Sequence, residues 1–482
     1  MKEILTLPYT TKLPKKQSFC GNFSGLDKGA FPVAGSLCYG ENVATDALPF
    51  LHGQEGLEER SVTSTGAAMQ TYLFVVDETL YLVGFDGSYL TIYRVDENSH
   101  TLIHTFAEEM TTAQALTAVQ DSVLCGIGYG ADARGRRLLL YPLGYSAVVA
   151  PDESTLTDFV NIGSLSDCKG FISAVIFENR LFATDGYNIY ASRPESLVSF
   201  VEKEGAENDD SPWCGQIPEE AENEMPIRGL IEFRGELYYF GHNSFGRIRG
   251  ASYPFYVEEL FSYGTVNMKS VQVVGDHLLF LGREGVYAYD GNRLRLISQK
   301  IALANCTDGV AGVKNGIYYL ALSEGEGSQV YTYCQSNDSW GCMTLAGRVK
   351  MFAGGRESLY CLTEEGIHHG LYRFGGSSDG FYAVAMLHES DALHTKKLTK
   401  VKLLADLTKG AKLSCDLQII AGDGSAHQIP LLDGATGEGT VVFSQNVAVP
   451  EGRLFFMIIS ATGDVSVGGY ELTFTKGVGE NG

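Results

Sequence analysis

A single hairpin phrase recurs along the chain, and it is clearest at Leu278-Leu279-Phe280-Leu281-Gly282-Arg283-Glu284-Gly285-Val286-Tyr287-Ala288-Tyr289-Asp290-Gly291. It consists of an apolar strand, a glycine-bearing tight turn, an alternating strand and a closing Asp-Gly. Weaker versions begin at Leu80, Leu181, Leu237, Ile317 and Leu359. From Leu237 through Leu278 and Ile317 to Leu359 the starts are about forty residues apart, the period of four-stranded blades set around an axis. Such hairpins bury their apolar faces only against neighbouring blades. Counting a weaker hairpin at 115–142, in which Val119 to Leu124 leads to Arg137 to Tyr141, the sequence predicts an all-β fold with a six- to seven-bladed β-propeller.

Composition agrees with that class. The 57 Gly, 26 Tyr and 25 Phe among 482 residues supply many turns and many pleated strands, while long runs of Ala, Leu, Glu and Lys at helical spacing are missing. A formal net charge of -22 argues against a surface built to grip nucleic-acid phosphates, which takes clustered Lys and Arg. The 10 Cys are scattered with no C-x-x-C pair to begin a zinc knuckle, so they read as small buried hydrophobes. Met1 to Lys16 has no continuous apolar core, and no apolar stretch approaches the ~18 residues of a membrane span. The expectation is a protein made and kept in a reducing cytosol.

Three domains are expected. Residues 1–60 are rich in turn formers, with Gly21, Gly25, Gly29, Gly35, Gly40 and Gly53 interrupting any long element, and read as an N-terminal arm that packs on something else. Residues 61–380 carry the blade phrases. After Phe374 to Gly380 the rhythm changes, and 390–478 reads as a C-terminal β-sandwich of at least five strands. An acidic run from Glu202 to Asp210, continued by Glu219, Glu220, Glu222 and Glu224, lengthens one blade connection. It lacks the D-x-[DN]-x-[DN]-G ligand order of a calcium loop and reads as a solvated insertion.

No constellation singles out a catalytic centre. His368-His369 beside Glu364-Glu365 would place neighbouring imidazoles on opposite faces of a strand, which does not suit one metal ion. Gly126-Ile127-Gly128-Tyr129-Gly130 lacks the lysine and following helix of a phosphate loop. The 58 acidic residues show no spacing that marks a glycosidase pair, and there is no G-x-S-x-G elbow. Ser336-Asn337-Asp338-Ser339-Trp340 is a lone partial match to the turn repeated in sialidase-type propellers. With Tyr331-Thr332-Tyr333 before it and Gly341 after it, the same stretch resembles one kelch repeat. The expected catalytic, cofactor-binding and metal residues are therefore none, and no cofactor is expected.

Three further matches carry a resemblance: the arm phrase Glu41-Asn42-Val43-Ala44-Thr45-Asp46-Ala47-Leu48-Pro49-Phe50-Leu51, the blade Leu278 to Gly291 continuing through Arg295-Leu296-Ile297-Ser298-Gln299-Lys300-Ile301, and the order arm, propeller, sandwich. On these the chain resembles the β-propeller structural proteins of tailed bacteriophages, the nozzle or tail-hub group also called DNA-stabilisation proteins. The resemblance implies a non-enzymatic virion component made in the host cytoplasm. It implies a homo-oligomeric ring, a hexamer, in contact with adaptor, portal or fibre proteins, and DNA passing through the lumen without specific binding. An acidic lumen would let DNA slide. The competing class is a carbohydrate-binding or carbohydrate-active propeller acting at a cell surface.

Overall fold

The computed structural model describes residues 16–30, 32–60, 69–76, 79–85, 88–97, 99–105, 123–129, 136–141, 146–150, 160–161, 172–178, 180–194, 200, 211–216, 227–250, 255–303, 305–355, 357–365, 368–389 and 395–476. Among them every long element is a strand, and the one helical piece is a single 3-10 turn at Met268–Ser270. The chain divides into two compact units, one of residues 55–335 with 344–376 and one of residues 1–54, 336–343 and 377–482. The division therefore does not fall at 60, 380 and 390 as the sequence suggested. The physical reason is strand pairing across long sequence separations, which local periodicity does not report.

The first unit is a β-propeller arrangement. Five blades are self-contained antiparallel meanders of four consecutive strands. Blade A is Met69–Val76, Thr79–Phe85, Leu90–Val95 and His100–Thr105; blade B is Val123–Tyr129, Arg136–Tyr141, Ser146–Ala150 and Val160–Asn161. Blade C is Ser173–Phe177, Arg180–Thr184, Asn188–Ala191 and Trp213–Gln216; blade D is Ile227–Phe233, Glu236–Gly241, Phe245–Arg249 and Tyr256–Phe261. Blade E is Gln272–Val274, His277–Gly282, Gly285–Tyr289 and Leu294–Leu296.

Two further groups of strands depart from that form, so that five such blades stand where six to seven were expected. Val310–Lys314, Ile317–Glu324 and Gly327–Cys334 form a meander that is not a separate four-stranded sheet. A closing sheet of Arg348–Gly354, Leu359–Glu365 and His368–Gly376 takes its outermost strand, Gly56–Glu59, from the segment that precedes blade A. First strands of neighbouring sheets adjoin from the closing sheet through A, B and C to D, and from E through the meander to the closing sheet. The D–E joint is made by aromatic packing of Phe233, Tyr238, Phe240 and Phe245 on Leu278, Phe280, Tyr287 and Tyr289. Each such ring or leucine taken out of water contributes about 1.5–3 kcal/mol.

The sequence encodes these hairpins through turn chemistry as well as alternation. Arg234-Gly235 and Asn315-Gly316 both have two successive positive φ angles (55° and 72°, 51° and 75°), the mirror-image turn whose twist matches that of the flanking strands. Among the described first strands the charged residues are Arg228, Lys314, Arg348 and Lys350 against Glu232.

In the second unit, one set of strands runs in the order Leu37–Glu41, Gly380–Glu389, Gly452–Thr462, Lys412–Ala421, Ala426–Ala435. Another runs Gly439–Asn446, Lys396–Leu407, Val465–Lys476, whose far edge takes Lys16–Gly21 and Leu51–Gly53. The two sets meet through the pairing of Lys396 with Gly452. Alternate residues of the long strands are buried, among them Leu413, Cys415, Leu417 and Ile419 on one strand and Phe455, Met457 and Ile459 on the next. Phe455 and Phe474 meet edge to face with centroids 5.1 Å apart. The expected arm is, in its described part up to residue 54, built into this unit, with Lys16–Gly21, Leu37–Glu41 and Leu51–Gly53 as strands, while Gly56–Glu59 belongs to the closing sheet of the first unit.

Candidate functional site

Three polar constellations stand out, and each is built from strands and turns already named. The first lies on blade D, where Tyr238 faces Arg247 and Arg247 faces Glu258 across adjacent strands. Arg247 Nε donates to Glu258 at 2.7 Å and its Nη1 to both oxygens of Glu236 at 3.1 Å, while the Tyr238 hydroxyl donates to Glu236 at 2.7 Å. Glu258 also holds Arg249 at 2.7 Å. The hydrogen bond from Tyr238, followed by that from Arg247, holds the Glu236 carboxyl below its ordinary range. Two convergent carboxylates are the raw material of a glycosidase, but that chemistry needs one of them protonated and free to give its proton away. Here Glu236 is held ionised by the guanidinium between the pair, and the ladder works as a cross-strand fastener.

The second is His52 with Asp46 in the second unit. The carboxylate accepts from Nε2 at 2.7 Å and the main-chain carbonyl of Gly53 accepts from Nδ1 at 3.0 Å. The Asp46 hydrogen bond raises the imidazole above its ordinary value and lowers the carboxyl in turn. Both ring nitrogens face an acceptor, so the protonated ring, which the Asp46 hydrogen bond favours, is a donor twice over.

The third joins blades D and E, where Arg228 and Arg283 reach the two ring nitrogens of His242, the former at 3.1 Å. All three are basic and at least partly exposed. They form a small cationic point at the strand and turn ends of neighbouring blades.

Glu364 pairs with Lys350 and lies opposite His369, while Glu365 lies opposite His368; the two histidines are consecutive residues of one strand, His368–Gly376. Gly126 to Tyr129 lie within a strand of blade B. The acidic runs at 202–210 and 219–224, with Val119 to Ser122 and Gly130, lie outside the described residues. Among the described residues no group of three or more His, Cys, Asp or Glu is placed to hold a metal ion. Cys334, Cys342, Cys361 and Cys415 are buried, whereas Cys20 is exposed. Burial pushes the Cys342 thiol up to about 11 and those of Cys361 and Cys415 to about 12.

Sequence reasoning missed the role of Ser336 to Trp340. Asn337 and Ser339 bond to Thr45, and the Trp340 carbonyl accepts from Leu26 N–H at 2.8 Å. The stretch fastens the segment around residues 26–45. Only the isolation of the motif, once in the chain rather than once per blade, hinted at this.

No protein-family model matches the sequence, and no curated protein matches it significantly. Among solved structures the chain is similar to BamB from Moraxella catarrhalis, with 9% identity and a TM-score of 0.36 over 67% of this chain and 97% of that one. It is also similar to the Pan2 WD40 domain of Neurospora crassa, with 8% identity and a TM-score of 0.40 over 67% and 95%. A third likeness is to an exo-β-1,3-galactanase from Phanerochaete chrysosporium, with 11% identity and a TM-score of 0.28 over 86% and 100%. At these values the likenesses carry no argument about activity or partners.

Proposed function

We propose that the chain is a non-enzymatic structural component of a phage virion, one copy of a closed hexameric ring in the tail or head-to-tail region around the DNA passage. The observation that supports a framework role most directly is the use made of its reactive side chains. Glu236, Glu258 and Arg247 fasten blade D, and His52 is occupied on both nitrogens. The phrases Glu41 to Leu51 and Leu278 to Ile301 supply the resemblance to tail propellers. In this reading the five self-contained blades, the meander at 310–334 and the closing sheet make a seven-position ring, and the second unit is a β-sandwich. A rigid propeller presents flat loop faces to neighbouring subunits, and one repeated heterologous contact ends in a closed ring. The partners are other copies of the chain and adaptor, portal or fibre proteins, and the site of residence is the virion after synthesis in the bacterial host.

The test is imaging of purified virions together with the mass of the native assembly. A ring of this polypeptide on the tail axis is the expected result. Virions that lack it, or hold it as isolated copies off the axis, overturn the proposal. Release of reducing sugar from a host envelope preparation, abolished by one Asp or Glu substitution, overturns its non-enzymatic part and favours a carbohydrate-active propeller.

A further inference from the structure

The joint between the closing sheet and blade A opens into a cleft of about 330 Å³, with Arg60, Arg373, Tyr360, Leu80, Val95 and Asp96 in its lining. Its position follows from strand register. Arg373 lies opposite Glu58 on one side and Tyr360 on the other, so the three side chains form a row across three strands of the closing sheet. Arg60 continues the edge strand, its N–H donating to Leu371 at 2.8 Å. Leu80 and Val95 belong to the apolar seam that joins this sheet to blade A.

The row is unevenly charged. One carboxylate, Glu58, serves two guanidinium groups, at 3.1 Å from Arg60 and 3.7 Å from Arg373. The second contact is too long for a hydrogen bond, and the Nε of Arg373 is buried with no hydrogen-bond partner among the described residues. Asp96 faces Arg94 at 3.7 Å, and Glu97 gives Arg60 only its main-chain carbonyl, at 3.3 Å. A planar guanidinium with unmatched donors beside an aromatic ring and an aliphatic wall recognises planar or tetrahedral oxyanions by paired hydrogen bonds.

We propose that this cleft binds a small oxyanionic ligand, a carboxylate or phosphate held by Arg373 and Arg60 with Tyr360 and Leu80 alongside. Glu58 competes for the same two cations. This goes beyond a framework role and does not depend on it.

The test is titration calorimetry of the full chain at low ionic strength with glucuronate and with inorganic phosphate, using glucose as the uncharged control. At least one of the anions is expected to bind and glucose is not. Arg373→Gln is expected to weaken binding about ten-fold, the loss of a charge-assisted pair. Glu58→Gln is expected to tighten it, an effect that a variant harmed only in folding cannot show. Circular dichroism of both variants checks the fold. Absence of binding by both anions, binding indifferent to both substitutions, or equal binding of glucose and glucuronate overturns the proposal.

Discussion

The side-chain amide of Asn337 donates to the main-chain carbonyl of Thr45 at 2.7 Å, and the hydroxyl of Ser339 meets that carbonyl at 3.1 Å and the Thr45 hydroxyl at 2.9 Å. A short turn late in the chain thereby holds a corner formed near its beginning. Cys342 reinforces it, its thiol donating to the Gly40 carbonyl at 2.9 Å.

Ser339 is buried, so Ser339→Ala removes the partner of the Thr45 hydroxyl and leaves the Thr45 carbonyl to Asn337 alone. The expected cost is about 1–2 kcal/mol, read as a lower urea midpoint with an unchanged slope. An unchanged midpoint would show that Asn337 holds the corner alone.

The closing strand Gly56–Glu59 is the outermost of its sheet, and on such a strand alternate N–H groups point inward to the ladder and outward to solvent. Of Leu57→Pro and Glu58→Pro, one is therefore expected to break a ladder bond and cost about 3 kcal/mol, and the other to be tolerated. Amide hydrogen exchange in His368–Gly376 separates the two; equal protection in both variants contradicts the pairing.

His388 sits among Phe19, Phe474 and Phe455 with ring centroids 4.8, 5.0 and 6.3 Å away, and Lys396 Nζ lies 3.3 Å from its Nε2. Burial, helped by that ammonium, pushes the imidazole down to about 4. The unfolded chain then takes up the proton first, so the stability tied to a neutral His388 is complete above about pH 6.5 and is lost as the pH falls towards 4. Allowing for its partial exposure, the loss is about 1–2 kcal/mol. Unfolding free energies of His388→Phe measured across that range are expected to fall less steeply than those of the parent; parallel profiles would remove His388 from the account.

Asp46→Asn tests the opposite sign. The raised His52 stabilises below its unfolded value of about 6.5, a contribution lost as pH rises through the folded value, while the lowered Asp46 stabilises above about 4 and loses its share in acid. Their joint contribution, about 0.5–1 kcal/mol for a partly exposed pair, is greatest between those limits. Asp46→Asn is expected to flatten that maximum, and a difference independent of pH would assign the pair no electrostatic role.

Much of the strand pattern was legible because alternation and turn chemistry are local. Leu278 to Gly291 becomes His277–Gly282 and Gly285–Tyr289, and the closing Asp290 caps its turn by accepting from Asn292 and Arg293 N–H at 2.8 and 2.7 Å. Within 390–478, where at least five strands were expected, Lys396–Leu407, Lys412–Ala421, Gly439–Asn446, Gly452–Thr462 and Val465–Lys476 all form. Ala426–Ala435 escaped notice because Pro430 and the loose alternation around it weaken its signal, which an outer strand tolerates. The membership of 336–343, the closing role of 56–59 and the Glu58–Arg373–Tyr360 row depend on which distant strands pair. No window of neighbouring residues contains that information.

The same closing strand bears on how the molecule is made. Gly56–Glu59 leaves the ribosome before any blade, yet its partner His368–Gly376 emerges only after every blade has been synthesised. Until then a nascent chain carries Gly56–Glu59 without its partner at the start of an open arc. Because that contact spans nearly the whole propeller sequence, closure is a late step with a high loop entropy. The open arc is also the interval in which two neighbouring nascent chains could exchange their closing strands.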